Sequence, residues 1–176
     1  MNFDLGLFKS GDILLTRNEG GFFGNNIERA QLKAGFSPED SRYTHIEILA
    51  LRDTKDPSKF WSVRVAPPKT KLVNFPEFYK GKYIKIVRYK DYGNFDKLKD
   101  VAIWAVSHCN VPYDFPGIFR FLFVWIKQHS SLWFCSENFV WSFQQIYLMA
   151  FKGLLPHKSM PAHGLDKDYT EFDQKY

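Results

Sequence analysis

Near Asn94 the hydrophobic spacing of this chain changes period, and no other feature limits its fold as much. Upstream, short apolar runs bounded by turn formers carry alternating polar and apolar positions, the spacing of strands. Downstream, apolar residues return every three or four positions, the spacing of one helix face. Residues 11–16 (GDILLT), 44–51 (THIEILAL), 60–66 and 83–89 read as strands; in the third, Trp61, Val63 and Val65 alternate with Ser62 and Arg64. Pro67 and Pro68 stop that third strand, because proline cannot donate to a ladder. Between the first two strands, Asn25 and Asn26 can cap a short helix through Ile27, Ala30 and Leu32 that ends near Gly35. After Asn94, Leu98, Val101, Ala102, Ala105 and Val106 share one helical face ending near Cys109. A second helix starts at Cys135 and carries Phe139, Val140, Phe143, Ile146, Tyr147 and Ala150, apolar on most sides, so it belongs inside the fold.

At 176 residues the chain suits a single domain, 1–176, with a core over about 9–155 and a surface tail over 156–176 rich in Pro, His, Lys and Asp. The 45% hydrophobic and 18% aromatic content, with 18 Phe, excludes a disordered or fibrous chain. The apolar stretch 118–126 (IFRFLFVWI) includes Arg120 and is far short of the roughly 20 residues a spanning helix needs. It is expected in the core, with a substrate groove or peripheral membrane contact as the alternatives, and no transmembrane segment is expected. Lys and Arg exceed Asp and Glu by 24 to 19, yet the excess is dispersed and no nucleic-acid motif accompanies it, so a solvated basic face is expected rather than a nucleic-acid partner. The start lacks the cationic-then-apolar profile of a signal peptide, which points to a reducing cytoplasm and two free thiols, Cys109 and Cys135. Neither cysteine has a CxxC partner and the five histidines are scattered, so no metal site is expected.

Two residues stand out chemically. Cys135 opens the interior helix, where unpaired N–H groups and the helix dipole favour thiolate over thiol, and where the same N–H groups can donate to an oxyanion. Glu137 falls in the first turn, where a carboxylate is favourable. The plain reading is an inert core cysteine. A thiolate nucleophile needs a base, and His45 is the one histidine set within a strand, with Glu47 on the same face. His108 ends a helix and His129, His157 and His163 fall in loops or tail; these read as surface residues or caps.

The motifs GDILLT (11–16), Tyr43-Thr44-His45-Ile46, Val111-Pro112-Tyr113-Asp114-Phe115 and Phe134-Cys135-Ser136-Glu137, in that order, resemble the YiiX/YebB-like branch of the NlpC-type superfamily, circularly permuted papain-like cysteine hydrolases to which lecithin retinol acyltransferase is a more distant relative. The resemblance implies an α+β fold in which an antiparallel sheet packs against a helix starting at the nucleophile. It implies Cys135 as nucleophile and His45 as base, Tyr113 near the cleft, and cleavage of an amide or ester bond through a thioester acyl-enzyme, with no cofactor. Ser136, Glu137 and Ser62 are further candidates for the cleft, and the substrate would be a peptide, an amide or an acyl lipid. Transfer of the acyl group, or a silent module that binds lipid or peptide, are the alternatives. Relatives commonly carry an acidic residue on the strand after the histidine strand, where this chain has Ser62-Val63-Arg64, and arginine cannot accept a hydrogen bond from imidazole. Glu47 is the preferred partner of His45, with Ser62 or a backbone carbonyl as alternatives. Asp114 reads as a turn residue bonding the backbone after Pro112.

Overall fold

The computed structural model describes residues 4–56, 58–90, 95–114, 133–147, 151, 154–166 and 170–175. The stretch 118–126 lies outside the described residues. Six strands form one antiparallel sheet: β1 (Ile13–Arg17), β2 (Tyr43–Arg52), β3 (Phe60–Ala66), β4 (Lys69–Asn74), β5 (Ile84–Tyr89) and β6 (Thr170–Lys175), in the order β4-β3-β2-β1-β5-β6. With the helices this makes an α+β protein. β1 is central and buried on both sides, which explains its unbroken Ile13-Leu14-Leu15 run where an edge strand would alternate.

Each face of the sheet has its own core. On one, Ile13, Leu15, Ile46, Ile48, Val63 and Val87 pack against α4 (Phe95–Ser107) and α5 (Cys135–Ile146) through Leu98, Val101, Ala105, Phe139, Val140 and Phe143. On the other, Leu14, Leu49, Phe60, Ile84 and Ile86 meet Phe8 and the short α3 (Phe75–Phe78) with Tyr79 behind it. Period two along β2 therefore sends Ile46, Ile48 and Ala50 toward the helices, and Leu49 toward α3.

The strands fall within a residue or two of the sequence expectation, and four features depart from it. Beyond Pro67-Pro68, where the third strand stops as expected, the chain turns into β4, a strand the pattern did not announce, pairing Ala66 with Lys69 so that the prolines form the hairpin loop. Helix α1 (Phe22–Lys33) starts ahead of Asn25, with Gly21 at its N-cap, because two glycines at positive φ already reverse the chain. α5 ends at Ile146, short of Ala150. The tail is no surface wrapping: Ser159, Pro161, Ala162 and Gly164 are buried, and residues 170–175 complete the sheet beside β5.

Gln31, the one fully buried residue of α1, explains how the tail is held. Its amide nitrogen donates to the Ser41 and Tyr43 carbonyls, at 2.8 and 3.0 Å, and its oxygen accepts the Ala162 N–H at 2.7 Å. One side chain thus joins α1, α2 (Pro38–Ser41), the start of β2 and the tail. Asp12, from the GDILLT motif, is a second staple: fully buried, it takes a two-pronged bond from Arg88 at 2.6 and 2.8 Å and accepts the Lys9 N–H.

Candidate active site

Glu47 is 2% exposed and sits on β2 where an isolated carboxylate would be strongly disfavoured, yet four side chains donate to it. Ser62 Oγ reaches Oε2 at 2.6 Å; His45 Nε2 and Arg64 Nη1 each lie 2.8 Å from Oε1, and the Tyr79 hydroxyl also donates there. Burial pushes the Glu47 carboxyl up, but the bond and charge of His45, with Arg64 and Ser62, outweigh it and hold the group below its ordinary range.

With Nε2 of His45 engaged by Glu47, the other ring nitrogen is the one left to meet Cys135, with which His45 is hydrogen-bonded. Cys135 is the first residue of α5, whose N-cap Phe134 supplies no side-chain cap, so the first-turn N–H groups are not taken up by a cap. Sγ accepts the N–H groups of Ser136 and Ile46. Burial pushes the thiol up; the opposed charge and hydrogen bond of His45 and those two amides bring it below its ordinary value. For His45, burial disfavours the imidazolium, and the facing sulfur and Glu47 more than compensate, raising it to about 9. The two shifts act together, favouring thiolate on Cys135 and imidazolium on His45.

The chain before α5 is fixed by a short bridge. Tyr113 pairs with Trp133 in parallel, the Asp114 N–H bonds the Trp133 carbonyl at 2.9 Å, and the Trp133 N–H returns to Pro112 at 3.2 Å. Tyr113 lies close enough to Cys135 that burial first, and the sulfur's charge second, raise its phenol well above the usual value.

His45, Glu47, Ser62, Tyr113 and Cys135 are therefore brought together, and two expected cleft residues are not. Ser62 has no exposure and serves the carboxylate rather than a ligand. Ser136 is 1% exposed and donates to the Ser159 carbonyl at 2.8 Å, tying α5 to the tail, because its position in the helix turns it inward. Glu137 is buried and borders a separate groove of about 620 Å³ with Trp104, His108, Trp133 and Trp141. His108 caps the end of α4 as expected, its Nδ1 lying 2.9 Å from the Trp104 carbonyl, and it also stacks on Trp104 at 4.0 Å and on Trp133 at 4.8 Å. Sequence reasoning missed Tyr79 and the helpful role of Arg64. Arg64 shares a face with Ser62 at period two, so its reach toward Glu47 was readable; an arginine beside the pair need not accept a bond if it donates to the carboxylate.

Neither a protein-family profile nor a curated protein matches the sequence. Among solved structures, the metalloprotein yiiX from Escherichia coli O157:H7 matches with a TM-score of 0.59 at 17% identity, over 80% of this chain and 67% of that one. The chain has a YiiX-like fold. That neighbour is described as a metalloprotein, but among the described residues here no group of three or more His, Cys, Asp or Glu could hold a metal ion. The Glu47 oxygens are filled by four donors and the Arg64 guanidinium lies against them, an environment unsuited to a cation. No helix of the described residues is long and apolar enough to cross a membrane.

Proposed function

We propose that this protein is a cysteine-dependent hydrolase that cleaves an amide or ester bond through a thioester acyl-enzyme, on a fold of permuted papain-like, NlpC-type arrangement. The observation that carries the reading is Cys135 at the open N-terminus of α5, hydrogen-bonded to an imidazole whose far nitrogen is fixed by Glu47. The substrate class is a peptide, an amide or an acyl lipid, and a reducing, cytoplasmic setting would keep both cysteines as the free thiols they are here.

In the cycle, the Cys135 thiolate attacks the carbonyl carbon, forming a C–S bond as the carbonyl electrons move to oxygen. The Cys135 N–H at the helix start is placed to donate to that oxyanion. The His45 imidazolium then protonates the leaving nitrogen or oxygen as its bond to carbon breaks. Water attacks the thioester, His45 takes its proton, and the C–S bond breaks to return the thiolate. Where an alcohol or amine enters in place of water, the same steps transfer the acyl group.

Labelling with iodoacetamide at neutral pH tests the reading: Cys135 should react well ahead of Cys109, whose thiol burial pushes up. His45→Ala should slow Cys135 by about 100-fold or more. Equal, slow labelling of both cysteines would overturn it. Trapping with thiol-directed acyl probes, followed by mass analysis of the Cys135 adduct, would name the substrate class.

A further inference from the structure

Against His45 lies a small pocket of about 140 Å³ lined by Thr16, Thr44, Arg64, Tyr79 and Lys82. Its inner lining is made of donors. Arg64 uses Nη1 on Glu47 and Tyr79 and lays its guanidinium over the Phe78 ring, which leaves its Nε and Nη2 hydrogens without a hydrogen-bond partner among the described residues, and its side chain keeps 22% exposure. Thr16, which pairs with His45 across the β1–β2 ladder, and Thr44, the residue before His45 at the bulge in that ladder, are each under a tenth exposed, and no protein group bonds either hydroxyl among the described residues. Lys82 is 35% exposed and touches Glu19 only at 3.5 Å, while Glu19, at the rim, is 59% exposed. Asn18, also in the wall, is not available, since its amide nitrogen is spent on Asn25 and Glu28 and its oxygen on the Gly20 N–H.

Donors that face one space and bond no protein group are matched best by an acceptor-rich occupant, which exchanges their water for charge-assisted bonds. A neutral apolar group would strand them and an ammonium would meet Arg64 and Lys82. A tetrahedral or planar oxyanion supplies acceptors in several directions and is small enough for the space. We propose that this pocket is a subsite for an anionic group of the substrate, a carboxylate or a phosphate, held beside the scissile bond by Arg64, Lys82 and the two threonine hydroxyls. The inference rests on the hydrolase reading and adds what that site selects: acyl compounds bearing a negative charge near the bond to be cut. Because His45 belongs to both the pocket and the pair with Cys135, a group held there lies within a few bonds of the sulfur.

Iodoacetate and iodoacetamide differ by one charge at nearly the same shape, so their rate ratio at Cys135 reads the subsite while the iodoacetamide rate alone reads the hydrolase proposal. The ratio in the native protein, normalised to that in urea, should favour iodoacetate. Lys82→Met should lower it by about fivefold, the worth of one well-placed exposed charge, and Glu19→Gln should raise it. A ratio unmoved by both substitutions overturns the subsite, whereas slow iodoacetamide labelling of Cys135 overturns the hydrolase reading whatever the ratio. Protection of Cys135 by inorganic phosphate or by acetate, against sodium chloride at equal ionic strength, separates the two anions. Protection by one assigns that class, and protection by neither overturns the subsite.

Discussion

Glu47 aims its Oε1 at the imidazole because Ser62, Arg64 and Tyr79 leave the carboxylate no other orientation. Glu47→Gln keeps the shape but removes the charge that favours the imidazolium, and leaves the partly buried Arg64 without its counter-ion. The variant should lose about 3 kcal/mol in urea denaturation, and its Cys135 should be alkylated more slowly at neutral pH. The pair also sets a pH signature. Cys135 is depressed, so its thiolate persists to lower pH than that of an ordinary cysteine and is lost on the acid side, and iodoacetamide alkylation should rise with pH to a plateau. His45 is raised to about 9, so its proton is present below that pH and lost above it. Turnover, which needs that proton for the leaving group, should fall through about pH 9 while alkylation stays level. Of this site, His45 and Glu47 were legible because two residues of one strand face the same way, and Cys135 because it opens an apolar helix. Tyr79 was not legible, since 32 residues separate it from Glu47 and only the folding of α3 against the sheet brings it there.

Elements were readable where burial is one-sided or complete, and hidden where the chain is charged or bent. β4 reads Lys-Thr-Lys-Leu-Val-Asn, and its lysines and Leu72 point to solvent on the sheet's outer edge, so no alternation of core residues announces it. α1 escaped precise placement because Gln31 alone among its residues is buried, which leaves no apolar stripe to find. β1 was legible, and Gly11 shows why it starts where it does. Its φ is +89°, and a Cβ there would lie 2.3 Å from the Leu98 carbonyl oxygen, so the strand enters the sheet pressed on the backbone of α4. Gly11→Ala should cost more than about 2 kcal/mol, combining αL strain with displacement of α4, and a drop in thermal midpoint without a change in the identity of the labelled cysteine would report it.

At the scale of the molecule, residues 159–164 and 170–175 belong to the architecture: the first run is largely buried and the second is a strand of the sheet. Ser159 receives the Ser136 hydroxyl, Ala162 donates to Gln31, and Gly164 fits against Ile46 so closely that a Cβ would come within 2.6 Å of its Cδ1. A chain ending at Lys158 should lose about 3 kcal/mol or more, from the two buried hydrogen bonds to Ser136 and Gln31, the β5–β6 pairing and the uncovered core. It should also label more slowly at Cys135, because the start of α5 loses its anchor; a truncated chain as stable and as reactive as the full one would contradict this account. A composition rich in Pro, His, Lys and Asp gave no sign of this, because the burial comes from partners 23 to 131 residues upstream.

His45 and Cys135 stand 90 positions apart, with β3 to α4 between them, so the histidine leaves the ribosome long before the sulfur does. Until both elements are in place, neither the imidazole nor the thiol has the neighbour that shifts it. On the proposed reading, the chemistry would switch on only when folding is complete, and the speed of Cys135 modification would time the arrival of the native state.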